Sequence, residues 1–485
     1  MGPKVIGKKK VSPVDLTLVI VESPAKCKKI EEYLGAGYKC IASYGHFREI
    51  KTLSDIDFDN YNIKFTPSIL KIKRDAVREM ITLSRVAGKQ NVVIATDDDR
   101  EGEAIGWHIC DVLGLDVSTT RRIIFHEITP SAVKNAIIAP TVLNMKIVYA
   151  QKCRQIIDMV VGFRISPVLW KRFTYGKATG KGGSLSAGRC QIPCLKIIYD
   201  NELTIREYLK GDKDGTSTFR VFGRFGSKKI TFVLQHEFTN REGVISLFER
   251  MTENGFSCGS NPHIFDRDKP RETSVAPPKP LTTSRLHQAC SNELSMSPKD
   301  TMSTAQRLYE HGLITYMRTD ASHYSNDFID TVKTHINKKF NSDRYISSVI
   351  FLLSSTTSNN TGETSSAHES IRPTNIKVET IEDMASSGFT PREIKVYRLI
   401  WRITMESCMS NAVYSKMKCT VCSPLSERWV FIHDAVTPLF MGWKAVKYGV
   451  DITNKGLNDD QTEETDGDRE GFVTGDYEYL SLLTA

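Results

Sequence analysis

The chain has 485 residues, a net charge of +8 and 40% hydrophobic residues. It is long enough for about three domains of roughly 150 residues each and too apolar overall for a disordered chain. No run is apolar enough to span a bilayer and the start lacks a signal-peptide core. The eleven cysteines are odd in number and dispersed, which excludes a disulfide scaffold and favours reduced thiols inside a cell.

In chain order, residues 1–11 form a basic tail rich in Gly and Lys. Residues 16–21 are a continuous apolar run, as in a buried strand, and Ser23-Pro24 opens a helix over 25–34. Strands are predicted at 38–43 and 91–96, an amphipathic helix at 103–113, then a strand at 122–126 and a helix at 130–138. This alternation implies a mostly parallel sheet covered by helices. From Ala150 the pattern turns helical, with Ile156, Ile157, Val160 and Val161 spaced as a buried stripe. A Gly-rich segment, 175–188, precedes a helix at 189–199. Residues 212–266 are predicted to be β-rich, with alternation at 219–225 and 230–235, and the prolines of 276–280 mark a boundary. Helices follow at 284–294 and from Pro298 to His311, where Gly312 is placed to end the turn. A Ser/Thr/Asn-rich loop at 354–366 leads to a helix at 391–405 and strands at 415–422 and 429–433. From Gly456 to the end there are nine acids and one Arg, in what reads as a solvated loop. The body before it is therefore more basic than the net charge suggests, which suits a polyanionic partner.

Two acidic elements stand directly after predicted strands: Glu22, and the run Asp97-Asp98-Asp99-Arg100-Glu101. Strand carboxyl ends open into the ligand crevice of a parallel sheet, and two or three carboxylates there can hold Mg²⁺ together with water and phosphate. A solvated acidic turn is the competing reading; Glu22 at a second strand end favours a site. Lys26, one turn into a helix, suits a phosphate. Segment 175–183 misses the Walker spacing, so no nucleotide triphosphate site is expected. Tyr316 with Arg318 two residues on could be a nucleophile with a phosphate partner, although a tyrosine after a helix is more often simply packed. Cys419 and Cys422 form a lone CxxC without the second pair that a zinc ribbon needs.

These pieces share a pattern with a known family. VESPAKCKKI (21–30) and ATDDDREGEAIGWH (95–108) resemble the two motifs of a Toprim domain. SAGRCQIPCL (186–195), ITYMRTD (314–320) and SAHESIRPT (366–374) resemble three motifs of type IA DNA topoisomerases, in the family's order. Met317 favours the bacterial topoisomerase I branch.

The resemblance implies an α/β Toprim domain followed by a mostly helical, discontinuous toroidal core with a β-rich arch. Its implied domains are a basic tail (1–13), Toprim (14–150), a helical DNA-binding segment (151–212), the first part of the arch (213–279), a helical domain bearing the tyrosine (280–407), and the arch return with the start of an incomplete carboxyl-terminal core (408–485). It implies an enzyme that cuts one DNA strand with Mg²⁺ and without ATP, passes a strand and reseals through a 5′-phosphotyrosyl bond. Tyr316 would be the nucleophile. Glu22 would exchange a proton with the leaving 3′ oxygen, Lys26 would stabilise the phosphate, and Arg318 would position Tyr316. Glu22, Asp97, Asp99 and Glu101 would be the magnesium-linked acids, with Asp98 at the variable position between. Arg154, Asp158, Arg189, Gln191, His368 and Arg372 would contact or support a single strand.

The expected partner is single-stranded or underwound DNA, the expected state a monomer away from membranes, and the expected compartment intracellular. Cys27, Cys190 and Cys194 replace small or aliphatic residues of the motifs; Cys27 and Cys190 are either reactive thiols beside the site or buried ones. The family's GIGRPST-type segment is not found before Ala485, so a truncated or reduced enzyme is expected. A Toprim nuclease or primase and a partial DNA-binding chain are the rival classes.

Overall fold

A computed structural model of the chain describes residues 16–60, 62–172, 185–210, 218–226, 230–253, 264–350, 368–382, 388–422, 429–450 and 475–482. The basic tail, the Gly-rich segment 175–183 and the Ser/Thr/Asn-rich loop 354–366 lie outside them. The chain divides into two compact units. The first comprises Met1–Ile192, Lys279–His335 and Val349–Thr404; the second comprises Pro193–Pro278, Ile336–Ser348 and Met405–Ala485. Among the described residues no helix is long and apolar enough to cross a membrane.

The first unit is built on a parallel sheet. Strands β1 (Thr17–Val21), β2 (Tyr38–Ala42), β3 (Val92–Ile94) and β4 (Arg121–Arg122) run in the order β2-β1-β3-β4. Leu18 to Val21 are all fully buried, as expected where helices cover both faces. Alternation along β1 sends its side chains to two different cores. Leu18 and Ile20 pack with Met80 of α2 (Lys71–Ala87) and with Ile105 and Ile109 of α3 (Arg100–Leu113). Val19 and Val21 instead join Ile30 of α1 (Pro24–Leu34) and Val133 of α4 (Pro130–Ile138) in a core that extends to Leu308, Tyr316 and Ile400. One face of the sheet thus carries the segment that bears Tyr316.

Two expectations for this unit need correction. The strand predicted over 122–126 pairs only as Arg121–Arg122. Beyond Ile123 the backbone leaves the sheet, and the His126 carbonyl instead accepts from the Tyr316 N–H at 2.8 Å. The predicted buried stripe lies on α5 (Met145–Arg172), but Ile157 is 43% exposed and Ile156, Val160 and Val161 are only half-buried. The buried residues of this helix are Val148, Gln151 and Ser166. Apolar spacing marks a face that can be covered; it does not say that the fold covers it.

The second unit holds an antiparallel sheet. Its strands are β5 (Thr218–Phe225), β6 (Ile230–Phe238), β7 (Ile264–Arg267), β8 (Arg271–Val275), β9 (Ala412–Cys422), β10 (Val430–Phe440) and β11 (Gly475–Leu482). They run β7-β9-β10-β6-β5-β11, with β8 also on β9. Phe225, Phe232, Val421 and Phe431 form its core with Val244 and Leu247 from a helix, Arg241–Glu253, inside the segment predicted to be β-rich. Part of the acidic end is also not the predicted loop: Gly475–Leu482 pairs with Thr218–Phe225, consistent with the strand preference of Tyr477 and Tyr479. Cys419 and Cys422 sit three apart on β9, an odd spacing that points their side chains to opposite faces.

Candidate active site

The acidic run leaves β3 through a turn that few sequences could make. Gly102 lies so close to the Asp97 carbonyl that a Cβ would collide with that oxygen. The Thr96 hydroxyl donates to the Gly102 carbonyl at 2.7 Å, and Asp99 caps α3 by accepting from the Gly102 N–H at 2.8 Å. Arg122, fully buried, donates to the carbonyls of Thr96 (2.7 Å) and Asp97 (2.9 Å) while its Nε meets Glu103 at 3.1 Å. The carboxylates of this loop are therefore held on a rigid backbone.

Tyr316 arrives from the other side of the same core. Helix Pro298–Glu310 ends at His311, and Gly312 adopts a left-handed φ of 64° while packed on the Ile128 carbonyl. Thr315 bonds the Arg372 carbonyl through its N–H (2.9 Å) and the Ser370 carbonyl through its hydroxyl (3.0 Å). Tyr316 is 3% exposed, and its hydroxyl donates to Asp99 Oδ2 at 2.5 Å. Arg318 donates to the same oxygen at 2.9 Å. Burial, reinforced by the charges of Asp97 and Asp99, pushes the Tyr316 phenol well above its ordinary range. The hydroxyl is protonated at rest and needs a base to act.

Lys26, on the first turn of α1 and fully buried, is ion-paired with Asp97 Oδ1 and lies 4.8 Å above the Tyr309 ring. Helix α1 begins where expected, with Ser23 as N-cap and Pro24 in its first turn. Tyr309 was not singled out by the sequence. It is fully buried, its ring is 5.2 Å from that of Tyr316, and burial raises its phenol strongly. Its signal was faint: one residue before the end of a helix, a tyrosine reads as core.

Glu22 accepts from the Asp97 N–H at 3.0 Å. Burial first, then the Asp97 charge, push its carboxyl up to about 7. The folded form thus holds a proton that the unfolded chain releases near pH 4.5. A raised folded pKa means stability that is present at low pH and lost as the pH rises through about 7. Glu22→Gln is accordingly expected to raise the melting temperature above pH 8 in metal-free buffer and to change it little near pH 4. Equal shifts at both pH values would contradict the assignment.

Glu101 does not turn toward Tyr316. It accepts from Gln151 (3.1 Å) and Arg154 (3.3 Å) of α5 and pairs with His46 at 2.9 Å; the His46 bond chiefly lowers its pKa. The line continues from Arg154 to Asp158 (3.8 Å) and from Asp158 to Arg189 (2.9 Å). Gln191 opens the next helix, with Ser186 at 3.5 Å. Four expected strand contacts thus lie along α5 and the turn behind it. His368 stands apart from them, its ring 5.8 Å from Tyr316. Arg372 is buried, bidentate to Glu369 (2.6 and 3.0 Å) and 3.2 Å from Glu127, which suits support of the Tyr316 segment better than strand contact. Cys190 is exposed; Cys27 is half-buried, its pKa lowered chiefly by a hydrogen bond with Cys40.

The raised Glu22 pKa marks a field that a cation would relieve, and the oxygen donors of Glu22, Asp97 and Asp99 suit a hard one. Among the described residues, however, no three of the expected acids bring oxygens within 4.8 Å of one another; the group that does so is Asp98, His126 and His368. A small divalent ion at the acids fits only if water or phosphate completes its shell, which is how Mg²⁺ is usually held.

Comparison with known proteins agrees with this architecture. A family model described as DNA topoisomerase matches residues 142–473, and a Toprim domain model matches 17–128. DNA topoisomerase 1 of Campylobacter jejuni is 35% identical over 456 residues, covering 89% of this chain and 59% of the relative. That of Buchnera aphidicola is 33% identical over 458 residues, covering 89% of this chain and 50% of the relative. The chain thus spans between half and three-fifths of the length of these curated relatives. The structure of full-length topoisomerase I from Thermotoga maritima superimposes with a TM-score of 0.73 at 28% identity, covering 96% of this chain and 72% of that one. A Toprim α/β domain followed by the topoisomerase core, with Tyr316 folded against its acidic loop, leaves one assignment: the chain belongs to the bacterial type IA DNA topoisomerase family.

Proposed function

We propose that this chain cleaves and reseals one DNA strand through Tyr316, relaxing underwound DNA without ATP. The observation that carries the reading is the buried Tyr316, whose hydroxyl is bonded to Asp99 beside the buried Asp97. Asp99 takes the phenolic proton as Oη attacks the phosphorus. The 3′ oxygen leaves with a proton from Glu22, whose pKa near 7 lets it give and retake one at neutral pH. Arg318 holds Asp99 and faces the phosphate charge that builds. Lys26, buried against Asp97, acts through that carboxylate, fixing its orientation. A magnesium ion, held through Asp97 and Asp99 with water while Glu22 beside it keeps its proton, would supply charge neutralisation at the phosphate. Glu101 instead orients the cationic line of Arg154 and Arg189, which with Asp158, Gln191 and His368 leads a single strand to Tyr316. One phosphodiester is exchanged for another, so the strain of underwinding alone drives relaxation.

The test uses single-stranded DNA labelled at its 3′ end, Mg²⁺ and denaturing electrophoresis. A labelled band attached to protein is the expected result. Cut DNA free of protein supports a Toprim nuclease and overturns the proposal, as does uncut DNA.

A further inference from the structure

The tightest set of metal-ligating side chains among the described residues is not the expected acid cluster. Asp98, His126 and His368 each offer a ligand atom, and these lie within 4.8 Å of one another. His126 Nε2 is 2.9 Å from Asp98 Oδ2, and the His126 and His368 rings meet edge to face at 5.0 Å. Around a four-coordinate ion with bonds of about 2.0–2.1 Å, ligand atoms stand roughly 3.4 Å apart. One pair is already near that separation, and the third ligand atom lies within 4.8 Å of both.

The three come from three anchored segments. Asp98 follows Asp97, whose carbonyl Arg122 holds. His126 is tied by its carbonyl to the Tyr316 N–H. His368 precedes Ser370, which bonds His323 through its N–H and Ala321 through its hydroxyl. All three side chains are partly exposed, which leaves room for water or substrate in a fourth position.

We propose that Asp98, His126 and His368 form a second divalent-cation site, selective for a nitrogen-seeking ion such as Zn²⁺ and separate from the oxygen-lined acids around Asp99. Imidazole favours Zn²⁺, Co²⁺ and Ni²⁺, whereas carboxylate and water suit Mg²⁺, so the two neighbouring sites take different metals. Arg122 also faces Asp98, but its charge is already engaged by Glu103.

The position gives the site a consequence. His368 lies 5.8 Å from the Tyr316 ring, ring centre to ring centre, and Asp98 sits in the chain between Asp97 and Asp99. An ion with an open position there competes for the scissile phosphate oxygen and draws it away from the Tyr316 hydroxyl before the strand is cut. Zinc is therefore an inhibitor that excess magnesium does not displace. This consequence rests on the topoisomerase reading; the binding itself does not.

The experiment adds Co²⁺ to the reduced full chain in excess Mg²⁺, follows the visible absorption of the bound ion, then displaces it with Zn²⁺. One site with nitrogen and oxygen ligands is expected, retained in Tyr316→Phe. Affinity should fall at least about 100-fold in His126→Asn and in Asp98→Asn, since even changes to residues behind the ligands cost 10–100-fold. Circular dichroism of both variants checks that they fold. Binding unchanged in the folded variants, displaced by Mg²⁺, or showing only sulfur-to-metal absorption overturns the site. Zinc should also suppress the covalent DNA band of the parent at saturating Mg²⁺ and spare whatever band His126→Asn forms. Equal suppression in both overturns the coupling to catalysis. A parent with no covalent band even without zinc counts against the topoisomerase reading, and the cobalt titration then decides the metal site independently.

Discussion

Tyr316→Phe is expected to abolish the covalent DNA band and all relaxation while single-stranded DNA binding stays within about twofold of the parent. The substitution removes one atom that only the chemistry requires. Its structural cost is small, because Asp99 keeps two other donors, Arg318 at 2.9 Å and the Gly102 N–H at 2.8 Å. A hydrogen bond to a charged group is worth about 1.5–3 kcal/mol, and a retained pair of donors places the loss at the low end. The ring stays in its core against Tyr309. Gel shift on a short oligonucleotide, set beside denaturing electrophoresis of the same mixture, separates binding from cleavage. A persistent band at parental yield would assign the nucleophile elsewhere. The fully buried neighbour Tyr309 is the alternative to check, by Tyr309→Phe.

How much of this site could be read from the sequence depends on the range of the interaction. Glu22, Lys26 and the acidic run follow apolar strands, so local pattern places them at strand ends, and the motif around Tyr316 carries its own signature. Glu101 and Asp98 show where local pattern stops. Both belong to one short run, yet α3 begins at Arg100 and turns Glu101 toward His46 and α5, while the extended residues before it aim Asp98 at His126. Nothing in the run itself tells which carboxylate will face which partner. His126 lacked any sequence signal because its partners lie 28 and more than 200 residues away.

Other elements are faint in the sequence for physical reasons of their own. Helix α2 carries an apolar face at Ala76, Met80 and Ala87, but its N-cap is Leu70, which offers no side-chain cap to announce a start. The helices Arg241–Glu253 and Asn326–Phe340 sit beside segments whose stronger signals, strand alternation and the tyrosine motif, dominate the local pattern. On α5 the mismatch runs the other way, since spacing promises burial that the fold does not give Ile157.

Arg122→Met should destabilise the first unit by about 3–5 kcal/mol, the usual cost of leaving one member of a buried pair without its partner. The guanidinium is fully buried and does two separable things. It neutralises Glu103, itself buried, and it donates to the carbonyls of Thr96, Asp97 and Ile123. Pairing Arg122→Met with Glu103→Gln removes the orphaned charge, and the glutamine oxygen can still accept from the Asn144 N–H, now bonded to Glu103 at 3.0 Å. The double variant should therefore recover most of the stability in a urea titration. The carbonyls of Thr96 and Asp97 remain without their donor, so the loop that carries Asp97 and Asp99 is free to shift. Because Asp99 must meet the Tyr316 hydroxyl, the covalent DNA yield should stay at least tenfold below the parent even in the restabilised protein. This split between stability and chemistry is what a positioning residue predicts. If the double variant regains cleavage along with stability, Arg122 serves only to balance Glu103, and the geometry of the acidic loop is held by Gly102 and the Asp99 cap instead.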